Sequence, residues 1–236
     1  MCATKKYPAE PRRNFYGRQH GKTLRDRHKL YLAEDLAGLS PGPVSPADNP
    51  ERVPLDLAAR FSGKPVWLEI GFGGGEHLVH QAAGNADVEM IGCEPFINAV
   101  AMSLGKIRDA GVQNISVYPG DVRDLFDVLP VGRIERAFLL YPDPWPKQRH
   151  VGRRFINQTY LAPLARALAP GAQFRVATDI GDYAHRALSE VPGYGFEIVT
   201  EKSDPWDDWV STRYERKALR EGRIPRYLTF QRGLLG

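Results

Sequence analysis

The chain of 236 residues is long enough for one sizeable domain with an appendage. Hydrophobic residues make up 42% of it and charged residues 25%, which excludes a wholly disordered, collagen-like or fibrous protein. No apolar run approaches the roughly 18 residues needed to cross a bilayer, and the first residues lack the apolar stretch of a secretory signal, so we expect a cytoplasmic protein.

Positive charge is concentrated at the two ends of the sequence. Residues 1–30 hold nine Lys or Arg and two Asp or Glu, a net charge of +7, and residues 212–236 hold seven and two, a net charge of +5. Because the whole chain carries +4, the part between these ends carries −8. Basic flanks of this kind favour a polyanionic partner such as a nucleic acid, although basic termini can also serve solubility alone.

The N-terminal region divides into two predicted segments. Residues 1–40 form a basic arm in which Phe15, Tyr16 and Tyr31 stand among Arg and Lys, a composition that binds phosphates and stacks on bases. Residues 41–54 contain five prolines, which oppose regular helix and remove hydrogen-bond donors from any strand, so they predict a linker. Residues 55–236 form the predicted main domain.

Short apolar segments alternate with helix-length segments through the main domain. Strands are predicted near 66–70, 88–93, 114–118, 134–140, 172–177, 195–200 and 225–230, and helices near 76–83, 95–110, 122–129, 153–169 and 180–190. This alternation predicts a doubly wound α/β fold, with a largely parallel seven-stranded sheet covered by helices on both faces.

A glycine-rich turn follows the first predicted strand, which ends at Glu69-Ile70. The turn contains Gly71 and Gly73, and such a turn lets the backbone approach a ligand and aims N–H groups at it. A dinucleotide fingerprint would have glycine where Glu76 stands, so a nicotinamide cofactor is disfavoured. The sequence therefore predicts a cofactor-binding loop of another kind.

Acidic residues follow the next two predicted strands. Glu94 lies 23 residues beyond Gly71, where doubly wound folds place a carboxylate on ribose hydroxyls, and Asp121 follows the third strand. The alternatives are a surface carboxylate for Glu94 and a helix N-cap for Asp121. Because parallel strands end at the same edge of a sheet, we expect both carboxylates to lie near Glu69.

A stiff loop follows the fourth predicted strand. The three prolines of YPDPWPK fix Asp143 and present Trp145 as a flat surface, unless this Trp is buried in the core. A basic cluster follows directly: Lys147, Arg149, His150, Arg153 and Arg154. Asp179 follows the fifth strand, where it holds a base edge or a ribose, or caps the next helix.

Basic residues recur at helical intervals near the C-terminus. They are Arg213, Arg216, Lys217, Arg220 and Arg223. This stripe is either an RNA-binding helix face or a solvated one.

Two other pairs of residues attract attention. His77 and His80 lie one helical turn apart, but no third ligand stands nearby, so we expect no metal site. Trp206 and Trp209 lie among aspartates that repel phosphate, so they are interpreted as packing or loop residues.

These motifs together resemble the bacterial tRNA (guanine-N7-)-methyltransferase family over most of the chain. The resembling stretches are GRQHGK, LEIGFGGGEHL, IGCEPF, GDVRDLF, LLYPDPWPKQRHVGRRF, ATDI and TRYERKALREGR. PDPWPK with the downstream TRYE is the most specific part. The pattern E-x-G-x-G-x-G also resembles the first motif of class I S-adenosylmethionine methyltransferases, which share a Rossmann-like sheet. The N-terminal arm and the proline-rich segment depart from the family pattern.

The resemblance implies methyl transfer from S-adenosylmethionine to N7 of a guanine in tRNA, at position 46 of the variable loop. It implies that Glu69, Glu94, Asp121 and Asp143 contact S-adenosylmethionine, with Asp143 also catalytic. The residues implied to contact tRNA are Lys147, Asp179, Thr212, Arg213, Tyr214 and Glu215. RNA would also lie against the segment that contains Arg149, His150, Arg153 and Arg154.

Two other functions stay open at this point. One is methylation of an exocyclic amino group in RNA or DNA, because DPW resembles the D/N-P-P-aromatic segment of such enzymes. The other is a non-catalytic RNA-binding protein on a Rossmann scaffold, which the strand-end carboxylates disfavour because they repel phosphate. The sequence does not decide between a monomer and a homodimer.

Overall fold

The computed structural model describes residues 14–234 and shows a seven-stranded sheet between two layers of helices. The strand order is β3-β2-β1-β4-β5-β7-β6, and β7 runs antiparallel to both of its neighbours while the other pairings are parallel. The strands are β1 (Val66–Ile70), β2 (Glu89–Cys93), β3 (Ile115–Tyr118), β4 (Ile134–Leu140), β5 (Leu168–Thr178), β6 (Phe196–Lys202) and β7 (Arg226–Arg232). The predicted doubly wound α/β fold is confirmed.

Eight α-helices are described. They are α1 (Asp26–Glu34), α2 (Leu57–Arg60), α3 (Glu76–Gly84), α4 (Ile97–Ala110), α5 (Val122–Val128), α6 (Gln158–Ala167), α7 (Gly181–Glu190) and α8 (Arg213–Arg220). Two short 3₁₀ helices lie at Gln148–Arg153 and Val191–Tyr194.

Each face of the sheet has its own hydrophobic core, because side chains alternate along the strands. In β1, Leu68 enters the core that contains Phe126 and Phe174, whereas its neighbour Trp67 enters the core that contains Leu78. All five residues of β1 are buried, as expected for a central parallel strand covered on both faces. This central position fixes the strand end from which the glycine turn begins.

The sequence prediction was wrong about one helix. The helix expected over 153–169 begins only at Gln158, where the Asn157 side chain caps it by accepting the Thr159 N–H at 2.8 Å. Leu168 already belongs to β5 and pairs with Ile134. Before this cap the chain forms the 3₁₀ helix Gln148–Arg153, and Arg154 directly after it is in an extended conformation.

The described part of the N-terminal arm packs on the main domain. Helix α1 lies on α4, where Arg108 forms ion pairs with Glu34 and Asp35 and its guanidinium lies 4.9 Å from the ring centre of Tyr31. Residues 1–13 of the predicted basic arm lie outside the described residues. The contacts on α4 give residues 26–35 a defined place beside the sheet.

The proline-rich segment 41–54 contains no regular helix or strand. Val44 is nevertheless buried in the core on the α5 side of the sheet. Arg52 donates to the Val44 carbonyl at 2.8 Å and forms an ion pair with Asp127 at 2.8 Å. The segment therefore rests on α5, and the boundaries at 41 and 54 stay predictions.

We predict that Gly75→Ala lowers the free energy of unfolding by about 2 kcal/mol or more. Gly75 precedes α3 with φ +79°, a conformation that costs other residues energy, and an added Cβ would lie 2.6 Å from Ser103 Cβ. The measurement is urea denaturation followed by circular dichroism.

Gly84→Ala is the matched control. Gly84 ends the same helix and an added Cβ meets nothing within 4 Å, so stability should be unchanged or rise by up to about 1 kcal/mol. Equal stability of the Gly75→Ala variant and the natural protein would contradict the argument.

Candidate functional site

The candidate site lies at the carboxyl end of the parallel strands, where the chain order reverses on either side of β1. Strands β2 and β3 lie on one side of β1 and strands β4 and β5 on the other. Ligands of open α/β sheets bind at this switch point. Two adjoining cavities open here, and their empty volumes, with the open solvent at their mouths included, are ≈ 680 Å³ and ≈ 1100 Å³, which leaves room for a nucleoside-sized ligand. We call them together the cleft.

The glycine turn takes its shape from left-handed backbone conformations. Gly71 has φ +71° and Gly73 has φ +55°, values that favour glycine. The Gly73 N–H donates to Glu94 Oε2 at 2.9 Å, and Lys106 Nζ donates to the Gly74 carbonyl at 2.7 Å. The turn thus joins the end of β2 to α4 and leaves Gly71 lining both parts of the cleft.

Glu94 is a buried carboxylate at the end of β2, so the alternative of a surface carboxylate is wrong. It is 8% exposed and also accepts the Phe96 N–H at 2.9 Å. Burial raises its pKa from 4.5, whereas the two backbone hydrogen bonds and the charge of Arg213 lower it, and the charge of Asp143 raises it. The carboxylate therefore lies close enough to Asp143 to be repelled by it.

Glu69 lies deeper than Glu94. It is 2% exposed, and its Oε2 lies 2.8 Å from Nδ1 of His77, which is equally buried. The His77 ring packs edge-on against Phe138, with centroids 4.7 Å apart. Sequence reasoning missed this partner, although His77 stands at the start of the helix that directly follows the glycine turn. No group of three metal-ligating side chains occurs within residues 14–234.

Asp121 caps α5 and also faces the cleft. Its carboxylate accepts the Arg123 N–H at 2.9 Å and binds the Arg123 guanidinium. The capping interpretation is therefore correct, and it does not remove Asp121 from the site, because the side chain lines the cleft beside Cys93 and Val122.

The loop after β4 holds Asp143 at the mouth of the cleft. Tyr141 and Trp145, two residues before and after it, have φ +49° and +39°. These backbone conformations are strained and persist only because surrounding contacts hold them. Asp143 is exposed and borders both cavities. Trp145 is half-buried rather than a core residue, and its ring meets His150 edge-on at 5.8 Å.

Arg154, which is predicted to contact RNA, does not lie on the surface. Its residue exposure is 2%, its Nε donates to the Pro144 carbonyl at 2.7 Å, and its Nη1 lies 2.6 Å from Asp182. The side chain ties the strained loop to α7. By contrast, Lys147 and Arg149 are exposed and Arg153 is half-buried.

The N-terminal residues close one side of the cleft. Phe15, Tyr16 and Gly17 line it, and the Arg153 guanidinium lies 4.7 Å from the Tyr16 ring and 5.1 Å from the Trp145 ring. Asn98 at the start of α4 anchors this segment by accepting the Gly21 N–H at 2.8 Å. The sequence suggested aromatic and basic chemistry here but not its place beside Asp143.

The four residues 212–215 divide into two pairs. Thr212 and Glu215 are buried: Thr212 caps α8, and Glu215 accepts from Trp209 Nε1 at 3.0 Å and from the Tyr227 hydroxyl. Arg213 and Tyr214 lie on the cleft side of α8, and Tyr214 lines the cleft. Trp206 is buried as expected of a packing residue.

Asp179 binds one member of the C-terminal stripe, and two other members bind groups close to them in the chain. Asp179 Oδ2 lies 2.5 Å from Arg223 Nε, and α7 begins without a side-chain cap, so the capping interpretation of Asp179 is wrong. Lys217 lies 4.0 Å from Glu221, and Arg216 donates to the Ser211 carbonyl. The stripe is therefore partly neutralised by its own surroundings.

The described chain brings Glu69, Glu94, Asp121 and Asp143 to one edge of the sheet and places exposed basic side chains beside it. An acidic cleft of this size suits a nucleoside-containing ligand that carries positive charge. The adjoining basic side chains suit a polyanion. No helix in the described residues is long and apolar enough to span a membrane.

Comparisons with known proteins agree with this arrangement. A family model described as "Putative methyltransferase" matches residues 63–225, which include all four of these carboxylates. The tRNA (guanine-N(7)-)-methyltransferase of Jannaschia sp. (strain CCS1) is 64% identical over 233 residues, covering 97% of this chain and 98% of the relative. The enzyme of the same name from Cereibacter sphaeroides is 66% identical over 220 residues, covering 93% and 91%.

Solved structures with low sequence identity share the fold. A variant of the 16S rRNA (adenine(1408)-N(1))-methyltransferase of Catenulisporales acidiphilia, determined with SAM, has a TM-score of 0.58 and 16% identity, covering 75% of this chain and 91% of that chain. The 16S rRNA methyltransferase KamB has a TM-score of 0.56 and 16% identity, covering 80% and 94%.

We predict that Arg154→Gln lowers the free energy of unfolding by about 1 to 3 kcal/mol, because glutamine cannot reach both Pro144 and Asp182 and leaves buried polar groups without partners. Hydrogen exchange of the 141–157 segment should also become faster. Arg149→Gln is the control, since Arg149 is exposed and its loss should change stability by less than about 0.5 kcal/mol. Unchanged exchange in the Arg154 variant would contradict the positioning role.

Proposed function

This chain belongs to the tRNA (guanine-N(7)-)-methyltransferase family, and on that premise we propose how its cleft carries out the reaction. The enzyme methylates N7 of a guanine in tRNA and uses S-adenosylmethionine as the methyl donor. We propose position 46 of the variable loop as the target, on the strength of the sequence motifs, and the cytoplasm as the place of action. The observation that carries the assignment is an acidic cleft at the switch point beside exposed basic side chains.

The residues of the cleft fit S-adenosylmethionine in shape and charge. When bound, S-adenosylmethionine supplies an electrophilic methyl group on a cationic sulfonium. Glu94 and Asp143 act electrostatically on each other, and a cation between them relieves their repulsion. Glu94 would hold the ribose hydroxyls, Asp121 the adenine edge, and Gly71 and Gly73 would allow close approach of the backbone.

Asp143 has a different task from the other acids. Guanine N7 is a hydrogen-bond acceptor and carries no proton at neutral pH, so its attack requires no general base. The exposed Asp143 carboxylate would accept from the guanine N–H donors and stabilise the positive charge that the methylated base acquires. A methyl-transfer step limited by a base with a near-neutral pKa would contradict this role.

The basic residues beside the cleft would bind the tRNA backbone. The exposed Lys147 and Arg149 follow the Asp143 loop directly, and Arg153 lies over Trp145. The major groove of an RNA duplex is too narrow for side chains, and N7 faces that groove, so the target guanine must lie outside a regular duplex. A rigid aromatic surface next to Asp143 suits such an unstacked base.

Three other residues proposed to contact tRNA are buried or already paired. Thr212 and Glu215 are buried and Asp179 is paired with Arg223, so any contact with tRNA at these residues requires rearrangement.

The rival function, methylation of an exocyclic amino group, uses the same donor and differs in the atom modified. Identifying that atom separates the two functions.

We predict that purified protein transfers labelled methyl groups from S-adenosylmethionine to bulk tRNA that lacks 7-methylguanosine. The label should map to N7, because borohydride reduction and aniline then cleave the chain at the modified guanine. Asp143→Asn should lower the transfer rate by a larger factor than it weakens donor binding. Label on an exocyclic amino group would favour the rival function, and tRNA binding without any transfer would favour a non-catalytic RNA-binding protein.

We predict that Lys147→Gln weakens tRNA binding and reduces the slope of log affinity against log salt by about one unit or less, because one phosphate contact is lost. Lys64→Gln is the control: Lys64 precedes β1 at the opposite edge of the sheet and pairs with Glu89. Filter binding between 50 and 200 mM salt, about the range where such slopes are measured, is the assay. Equal slopes in both variants would remove Lys147 from the interface.

His150 provides a pH check of the same surface. Desolvation and the charges of Arg153, Arg149 and Lys147 hold its pKa below 6.5, so the imidazole is neutral at pH 7.5 and becomes a cation only in more acidic solution. His150→Gln should therefore leave the salt slope unchanged at pH 7.5 and reduce it at low pH. A reduced slope at pH 7.5 would show that His150 is already charged there.

A further inference from the structure

Arg213, which the sequence assigned to tRNA binding, lies against the glycine turn of the cofactor cleft. A β-carbon on Gly73 would lie 3.6 Å from Arg213 Nη2 and 3.1 Å from Tyr214 Cε2. Arg213 Nη2 donates to the Tyr214 hydroxyl at 2.8 Å, and the guanidinium lies 4.7 Å from the Tyr214 ring centre. The first turn of α8 therefore covers the turn that follows β1.

The donors of Arg213 are not all satisfied. Its Nε is buried and has no hydrogen-bond partner within residues 14–234. Its charge lowers the pKa of Glu94 and of Glu76, yet it forms no ion pair with either carboxylate in the described part of the chain. A buried N–H of a charged group without an acceptor is costly, which points to an acceptor supplied by a ligand.

Part of the neighbouring backbone is already hydrogen-bonded. The Gly73 N–H already donates to Glu94, and the Gly75 N–H donates to the Phe72 carbonyl at 3.0 Å. Lys106, the other cation beside the turn, binds Glu76 and the Gly74 carbonyl. A ligand carboxylate placed among Glu69, Glu76 and Glu94 would be repelled by their charges, and the guanidinium of Arg213 is the positive group that can offset this repulsion.

On the basis of the proposed function, we propose that Arg213 binds the methionine carboxylate of S-adenosylmethionine. With the ribose at Glu94 and the adenine at Asp121, the amino-acid end of the donor is left for the region between the glycine turn and α8, where Tyr214 lines the cleft. A tRNA phosphate is also an anion that Arg213 could bind, so the experiment distinguishes the donor carboxylate from a tRNA phosphate. Helix α8 thereby becomes part of the donor site.

Calorimetric titration with two adenosine thioethers tests the proposal. S-adenosylhomocysteine carries the amino acid and its carboxylate, whereas 5′-methylthioadenosine lacks both. We expect Arg213→Gln to weaken S-adenosylhomocysteine binding about 10- to 100-fold, the range for hydrogen bonds to charged groups, and to leave methylthioadenosine binding unchanged. Arg213→Lys should recover part of the loss. Arg216→Gln, on the solvent side of the same helix turn, should bind both thioethers as the natural protein does.

Other outcomes overturn the proposal. Natural affinity for S-adenosylhomocysteine in Arg213→Gln, combined with weaker tRNA binding, would assign Arg213 to a phosphate. If Arg213→Gln weakens the binding of both thioethers equally, the substitution has distorted the cleft as a whole. Thermal unfolding of the variant would reveal such a distortion independently. If the natural protein binds neither thioether, the proposed function fails rather than the role of Arg213.

Discussion

Carboxylates gathered at one edge of a sheet repel one another, and the architecture of the cleft depends on how each negative charge is compensated. The compensating group differs from strand to strand. His77 lies within hydrogen-bond distance of Glu69, two backbone N–H groups donate to Glu94, and Arg123 forms an ion pair with Asp121. Asp143 has no hydrogen bond or ion pair of this kind within residues 14–234, and it lies nearest to solvent. The acid left without a protein partner is thus the one that we propose to lie next to the reacting atoms, where a cationic ligand and a base would supply the compensation.

The same residues that compensate charge also make the cleft rigid. Glu94 joins the glycine turn to β2, and Asp121 begins α5, so two walls of the cleft hold their shape through the acids themselves. The third wall, the Asp143 loop, is held from behind by Arg154. Preorganised charge costs little reorganisation during a reaction, and this suits a methyl transfer that needs alignment more than proton transfer.

Much of this arrangement is visible in the sequence, and the parts that are not have a common cause. The strand ends follow from hydrophobic runs, and the acids after them follow from the topology of parallel sheets, so Glu94 and Asp121 were placed correctly. Runs of charge mislead because they do not show which side chains turn inward. Arg154 and Glu215 belong to charged stretches of the sequence, yet both are buried. Arg154 pairs with Asp182 on α7, and Glu215 accepts a hydrogen bond from Tyr227 on β7. Such long-range pairing is set by tertiary packing, which local patterns do not contain.

The strand that comes last along the chain does not lie at the edge of the sheet. β7 inserts between β5 and β6, and its Tyr227 reaches Glu215, which in turn holds the helix that covers the glycine turn. The parallel strands can pair with one another before β7 is in place, but α8 gains its contact with Tyr227 only after β7 has inserted between β5 and β6. The wall of the cleft that α8 forms is therefore completed late in folding, by a strand that follows α8 in the chain.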